Sequence, residues 1–591
     1  MMGRLEEAGN FHLELLTATW NEPRPACQPS SRSVKSQRAS EHCEGRAGGG
    51  AQRESADRRG KLPIRRLRGT ADARWCCTGG RAMTRTAQGE FRMPYFTALA
   101  TYFSFALLLL LGRVRDLAAW PRRWRRRRSV SNSYNHVTLD AKPPPPVCKG
   151  DEDFYTRRLY HRIHDCWNRP IRSAPGACID VLRRRFADRR SHELELTGDA
   201  DRCLNLGSYN YLGFASPDGL CNPSAIASLQ AHGPSACASE SMGCASATQR
   251  ELEHELASFV RKADALVVGN GFATNSAVLP AVLGSKEGSL VVSDANNHAS
   301  IVQGCRLSGA RVRVFKHNDP EHLEFVLRTA ITQGRPRTGQ PWKKIVIAVE
   351  GLYSMEGEIC KLNEIVHIAK QYKAYVFLDE AHSIGALGKT GRGVCEHCNV
   401  DPQSIDILMG TFTKSFGSCG GYVAADSHVV EQLRRHSPAP LHACAMSPPA
   451  AQQALSALRL LKGKDGEGWE GQAKLVQLKE NANWLRQRLR AEGMEVLGDD
   501  DSPILPVMLY NAAKIAAFSR ECLRRGVAVV VVGFPATPLL LSRTRVCVSA
   551  SHTRKDLEDA LDVFKNVANE LGIFYCRDSA NRLDLGGTKK A

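Results

Sequence analysis

No repeating spacing orders the 20 cysteines, and no secretory cleavage pattern precedes them. A chain of 591 residues does not need covalent staples. A disulfide scaffold is therefore set aside, and the thiols are read as mostly reduced and facing the cytosol. Cys395 and Cys398 form a lone CEHC. A zinc site needs a second ligand pair at a matching distance, so loop cysteines are the better reading. No internal repeat is present. Aromatic residues make up only 7% of the chain, but apolar content of 43% is enough for a sizeable core. The formal net charge of +19 would suit a nucleic-acid or membrane partner. Its location decides. Residues 1–130 hold 25 Lys and Arg against 11 Asp and Glu, and the remainder holds 55 against 50. The greater part is a near-neutral globular surface, so no nucleic-acid partner is expected.

Residues 1–92 read as a basic extension, rich in Arg, Ser, Gly, Ala and Gln, and expected to be disordered. Residues 93–130 read as a membrane segment. Tyr95 to Gly112, YFTALATYFSFALLLLLG, carries no charge, and six arginines crowd Arg122 to Arg128 with Trp120 and Trp124 nearby. A buried core helix is the bland alternative, but an apolar run ending in an aromatic and basic belt suits a helix leaving a bilayer at its cytosolic face. Lys142–Val147, KPPPPV, is a stiff spacer. From about Asp151 the chain alternates apolar runs with helical patterns. Candidate strands are Ala265–Val268, Leu290–Ser293, Arg311–Phe315, Ile345–Glu350, Ala374–Asp379, Ile405–Gly410 and Gly421–Ala425. Such short, continuously apolar runs are typical of buried parallel strands, which predicts an α/β sheet covered on both faces. Beyond about 455 a long helix over Gly471–Glu492 precedes strands near Ile504–Leu509, Ala528–Val532 and Arg545–Ala550, with a closing helix over Leu557–Leu571. The domains expected are an arm with part of a small domain (150–230), a large domain (231–455), a small α+β domain (456–575) and a tail (576–591).

Polar residues gather where the strands end, which is where α/β sheets bind ligands. KAYVFLD ends at Asp379 and is followed by His382; KKIVIAVE is followed by Ser354. DILMG leads into Thr411, Thr413 and Lys414; ADALVVGNGFATN turns at Gly271 and Phe272; SLVVSDANNHAS carries His298. Singly each has a plain reading. Asp379 could cap a helix, His382 could be a core histidine, His298 could lie on a surface helix, and the glycine turn could be only a turn. Lys414 fits its plain reading least. A lysine among small apolar neighbours after a buried strand must be neutralised, paired or covalently modified. A desolvated amine forms an imine with an aldehyde, which is what pyridoxal 5′-phosphate offers. That cofactor needs an amine (Lys414), a carboxylate for its ring nitrogen (Asp379), phosphate contacts (Gly271, Phe272, Thr413) and a flat partner (His298). His382 and Ser354 are placed to tune its ring hydroxyl, and Thr411 can serve either end.

DEAHSIGALGKTGRG, GTFTKSFG, SDANNHASI, VEGLYSMEG and SYNYLGF together resemble the α-oxoamine synthase family of pyridoxal phosphate enzymes. DFYTRRLYHRIHDCWNRP, PWKKI, SPILPVMLY and VVVVGFPATP narrow the resemblance to its long-chain-base branch, over about residues 150–575. The resemblance implies a fold-type I transferase: a mostly parallel seven-stranded sheet, a smaller C-terminal domain and a preceding membrane helix. It implies condensation of L-serine with a long-chain acyl-CoA, normally palmitoyl-CoA, to 3-ketodihydrosphinganine, CO2 and CoA. It also implies a heterodimer with a first subunit that lacks the lysine, small regulatory membrane subunits, and an endoplasmic reticulum membrane with the catalytic part in the cytosol.

Three departures stand out. The branch pattern expects STR and a later His where this chain has Glu240 and Gln249, which sets the loop Ser239–Thr248 apart from the pattern. A Thr that reaches a phosphate in relatives is Cys444 here. Smaller relatives carry a substrate-binding Arg in an RPPTVP-like turn. This chain has GFPATP with Phe534, so Arg545 is the expected partner of the substrate carboxylate. The rival expectations are a synthase using glycine or alanine, and a catalytically silent scaffold subunit.

Overall fold

The computed structural model describes residues 92–134, 160–187, 193–217, 219–284, 288–463, 469–534, 536–575 and 582–584. The expected basic extension falls almost wholly in a separate unit, Met1–Glu90, outside those residues, as do the spacer at 142–147 and most of the tail.

The first helix, α1 (Tyr95–Tyr134), contains the uncharged run. Its segment Tyr95–Ala118 spans 24 residues at a mean hydropathy of 1.7. At ~1.5 Å per residue it outreaches the ~30 Å of a bilayer's hydrocarbon. Among the described residues it is the one helix long and apolar enough to cross a membrane. One face turns inward: Ala98 and Thr101 are buried, and the Phe105 ring meets Phe534 edge-on at 6.4 Å. Phe96, Phe103, Leu110 and Leu117 face outward, exposed.

A hairpin follows, β1 (Cys178–Phe186) with β2 (Leu194–Asn205). After α2 (Ala247–Val260) come β3 (Asp264–Val268), α3 (Gly271–Leu283), β4 (Ser289–Asp294), α4 (Ala299–Ser308) and β5 (Arg311–Phe315). Then come β6 (Lys344–Glu350), β7 (Tyr375–Asp379), β8 (Ile407–Thr411) and β9 (Gly421–Ala425). These seven strands, from β3 to β9, form one sheet in the order β3-β9-β8-β7-β6-β4-β5. Only β9 runs antiparallel to its neighbours. Alternation explains why both faces are covered. Leu290, Val292, Ile347, Val349, Val376 and Leu378 enter one apolar cluster, whereas Val291, Val346, Ala348 and Phe377 enter the other. Each fully buried side chain of this size contributes about 1.5–3 kcal/mol, which fixes the strand register.

The small lobe holds α5 (Glu470–Ala491), β10 (Ile504–Tyr510), α6 (Ala512–Arg524), β11 (Val527–Ala528), β12 (Val530–Val532), β13 (Ser542–Cys547) and α7 (Arg554–Leu571). The strand expected over Ala528–Val532 is divided at Val529. Its first part pairs with β2 and its second with β13, so one stretch of chain serves two sheets. The strand expected over Arg545–Ala550 lies earlier. Past Cys547 the main chain leaves the ladder, and the Ala550 amide donates to the Tyr211 carbonyl at 2.7 Å. A capping box at Thr553 and Asp556 starts α7. Ala98 of α1 and Cys166 belong to this lobe's apolar cluster.

Candidate active site

Three cationic or titratable side chains meet around one ring. Tyr209 follows β2 in the SYNYLGF stretch. Lys414 Nζ lies 5.7 Å from its centroid, the Arg545 guanidinium 4.4 Å, and the His382 ring 4.8 Å edge-on. Lys414 comes from the loop after β8, His382 from the turn after β7, and Arg545 from β13, so both lobes contribute. Burial pulls the Lys414 amine down to about 8. The carboxylates of Asp379 and Glu350 oppose that shift, and Arg545 reinforces it. Burial, with the charges of Lys414, Arg545 and His298, holds His382 neutral well below its ordinary value. Its Nδ1 is 2.8 Å from the Tyr211 hydroxyl. Burial raises Tyr209 to about 12, although Arg545 and Ser354 both pull the other way.

The depressed amine has a measurable consequence. Only the neutral form attacks an aldehyde. With a midpoint of about 8, capture of pyridoxal phosphate by cofactor-free protein should climb about tenfold from pH 6 to 7 and level off above 8. Stopped-flow absorbance checks this. A rate still climbing at pH 10 would mark an ordinary solvated lysine.

At the carboxyl ends of β6 and β7, Glu350 and Asp379 are register partners, and both are buried. Burial, with Asp379 beside it, pushes Glu350 well up. Asp379 keeps the acceptor role at both oxygens: Oδ2 takes the Asn275 side-chain amide at 2.8 Å, and Oδ1 takes the Ala381 N–H at 2.9 Å. The other N–H of the Asn275 amide goes to Ser300 Oγ at 2.9 Å. His298 Nδ1 accepts the Ser300 main-chain N–H at 3.3 Å, so it is unprotonated; Ser300 Oγ donates to it at 2.7 Å, and the His298 proton sits on Nε2. Glu350 accepts the His298 main-chain N–H. The His298 ring meets Phe272 edge-on at 5.7 Å, and burial lowers it below its ordinary value.

The first turn of α3 makes a third corner. Asn270 caps it by accepting from the Ala273 N–H, which leaves the Gly271 and Phe272 amides without intrahelical partners. A Cβ on Gly271 would sit 2.5 Å from Thr411 Oγ1, so only glycine lets the helix start approach that hydroxyl. Thr411 Oγ1 donates to the Gly420 carbonyl at 2.9 Å and accepts from Thr413 Oγ1 at 2.8 Å. Two free amides at a helix N-terminus form an anion cradle, and the Thr413 hydroxyl beside them can turn from Thr411 to a bound anion.

These corners suit a flat, phosphorylated aldehyde. Two buried polar atoms, Asn275 Oδ1 beside Asp379 and Arg545 Nε beside Tyr209, have no protein partner. Among the described residues no carboxylate forms an ion pair with Arg545. Arg545 lies over the Tyr209 face, 3.7 Å from Met355 Sδ, and bonds the Cys547 side chain. Ser354 is half-buried in the same loop as Met355. Sequence reasoning missed Asn275, Tyr209, Tyr211 and Ser300, and marked Glu350 as a strand end without giving it a role. Each lies in a motif already singled out, but polar residues inside a helix turn or beside a histidine carry no spacing signal of their own.

The divergent loop is anchored. Glu240 is buried and bonds Arg434 at 2.7 Å and Arg250 at 2.8 Å, while Glu253 accepts the Val267 main-chain N–H at 2.9 Å. Gln249 accepts from the Met446 N–H at 3.0 Å. Cys444 is exposed, bridges Ser239, and turns its carbonyl toward Gly269. The cluster thus ties the loop to β3, the strand that leads into the α3 turn.

Known proteins resemble this chain over most of its length. Residues 201–564 match the family Aminotransferase class I and II. Long chain base biosynthesis protein 2a of Oryza sativa subsp. japonica is 53% identical over 484 residues, covering 82% of this chain and 96% of the relative. Serine palmitoyltransferase 2 of Dictyostelium discoideum is 48% identical, covering 79% and 92%. A solved structure of SPT with PLP superposes with a TM-score of 0.61 at 27% identity, covering 71% of this chain and 96% of that one. Serine palmitoyltransferase of Sphingomonas wittichii gives 0.61 at 26%, covering 70% and 95%. The chain belongs to the class I and II aminotransferase family and, within it, to the long chain base 2 and serine palmitoyltransferase 2 group.

Proposed function

We propose that the chain is the catalytic subunit of a pyridoxal phosphate-dependent acyltransferase. It condenses L-serine with palmitoyl-CoA to 3-ketodihydrosphinganine, CO2 and CoA, the entry to sphingolipid bases. The observation that carries this is the convergence of Lys414, His382 and Arg545 on Tyr209. Pyridoxal phosphate would be held by Lys414, by Asp379 at the ring nitrogen, by His298 and His382 at the ring, and by Gly271, Phe272, Thr411 and Thr413 at the phosphate. When bound, it supplies an electron sink for the pair left on the amino acid Cα. Lys414 Nζ, close to half neutral near pH 8, takes the Cα proton and later returns one. Neutral His382, tied to Tyr211, and Ser354 would hold the cofactor's ring oxygen. Arg545, lacking a carboxylate of its own, receives that of serine.

The partner in this reading is a lysine-lacking first subunit, with small membrane subunits beside it. The apolar segment of α1 supports placement at the endoplasmic reticulum membrane with the catalytic part in the cytosol, where acyl substrate and long-chain product partition. The test is co-expression with a first subunit, followed by assays with serine, glycine and alanine. Serine must give the 3-keto base. Product from glycine or alanine alone would move the chain to a sister activity, and no product from any would leave a scaffold. Arg545→Gln should raise the KM for L-serine about 30- to 100-fold and change that for acyl-CoA little, since a charge-assisted pair is worth roughly 2–3 kcal/mol.

A further inference from the structure

We propose that the arginine-lined cleft between the β1–β2 hairpin and α6 binds the phosphate monoester headgroup of a membrane lipid. The cleft encloses about 610 Å3, within the range of small-ligand sites. Six arginines line it: Arg169, Arg183, Arg184, Arg202, Arg520 and Arg524. Four are spoken for. Arg183 grips Asp201, Arg520 grips Asp165 with two bonds, Arg202 meets Asp180 and Arg524 meets Glu521.

Arg169 and Arg184 differ. Both are half-buried, and both donate to main-chain carbonyls. Arg169 Nε reaches the Asp165 carbonyl at 3.2 Å. Arg184 reaches those of Asp165, Trp167 and Asn168 at 2.9, 2.9 and 3.2 Å. Around this one turn three guanidinium groups therefore face a single side-chain carboxylate, Asp165, which Arg520 already occupies. Burial lowers Arg169 below its ordinary value; Cys166 and the Asp165 carboxylate oppose that shift, and Arg184 and Arg520 add to it. Two cations side by side, bonded only to main-chain carbonyls, match a phosphate monoester, which carries roughly −1.5 to −2 charges near neutral pH.

Two observations favour a lipid over a free phosphate. Val181, Leu182 and Leu523 join the lining, so apolar surface lies beside the cations. The lobe that holds the cleft is also the one α1 packs against: Ala98 of α1 shares an apolar cluster with Cys166, the neighbour of Asp165. A segment able to cross a bilayer thus docks on the same body as the cleft, near a leaflet whose surface is anionic.

The test uses the full chain in neutral detergent, titrated with dioctanoyl phosphatidic acid and followed by melting temperature. Saturable stabilisation is expected, at least about tenfold tighter than with inorganic phosphate and absent with dioctanoyl phosphatidylcholine. Arg169→Gln should weaken it about tenfold or more. Thr197→Glu should do the same. It adds a carboxylate to the cleft wall and removes no ion pair, so it decides the matter if the first variant folds poorly. Equal affinity for inorganic phosphate, competition by CoA, or no saturable effect of the phosphatidic acid would each overturn the proposal.

Discussion

Lys414→Ala is expected to lower the rate of condensation at least about 10^4-fold and to abolish the visible absorbance of a lysine-linked cofactor. One amine does two jobs in the proposed site. It anchors the aldehyde covalently, and it carries the Cα proton. Loss of general acid–base help alone costs about 10^2- to 10^4-fold, and loss of the anchor adds to that. Lys414→Arg should be as inactive although it keeps the positive charge, because a guanidinium is neither nucleophilic nor deprotonated near neutral pH. Small primary amines such as methylamine should restore part of the Lys414→Ala rate, by supplying a proton acceptor in the cavity that the side chain leaves. Their efficiency should follow amine size and basicity. A Lys414→Ala protein with more than a tenth of wild-type activity would refute the role.

Much of this site was legible because strand ends announce themselves. A continuous apolar run such as KAYVFLD or DILMG, closing on a polar residue, fixes both the strand and the place where its last side chain emerges. Asp379 and the Thr411–Lys414 turn were found that way. Gly271 was legible for a related reason: a glycine opening a helix after a strand signals close approach, here to Thr411 Oγ1. The hub of the site was not legible. Tyr209 lies in a turn after β2, and its meaning comes from chains that reach it from His382, Lys414 and Arg545, more than 150 residues away. No local pattern encodes such a meeting. Asn275 was hidden likewise. One turn into α3 it resembles any polar helix residue, and only the fold turns its amide toward Asp379.

The strand boundaries that differed from expectation lie in the small lobe. The run Val527–Val532 is apolar throughout, and apolarity cannot say that its two halves pair with different sheets. The Arg545 strand was placed late because SRTRVCVSASHT alternates polar and apolar residues to its end. The ladder stops at Cys547, where the main chain turns back to Tyr211. That return brings the end of the strand beside the residues that follow β2, which is why Arg545 belongs to the site.

Asp379→Asn separates a catalytic carboxylate from a structural one. Asparagine keeps the shape and caps a following turn about as well as aspartate, so the bond from the Ala381 N–H survives and the fold should stay intact. What is lost is the charge beneath the ring nitrogen of the proposed cofactor. The mutant amide also has only one acceptor oxygen. If that oxygen keeps Ala381, an NH2 group faces the NH2 of Asn275, and two donors oppose each other at the 2.8 Å contact. Asn275 can relieve the clash only by flipping, which removes its bond to Ser300 and frees the relay that orients His298. Turnover should therefore fall about 10^3-fold while the KM for L-serine moves only a few-fold, because the proposed site holds serine's carboxylate elsewhere, at Arg545. Melting temperature should change by no more than a few degrees. A double variant, Asp379→Asn with Asn275→Asp, returns an acceptor to the pair and tests the geometry separately from the charge. It should recover the His298 orientation, read from the cofactor's circular dichroism, and regain only part of the rate. An Asp379→Asn enzyme within tenfold of wild type would mean that this carboxylate serves the turn before His382 and nothing more.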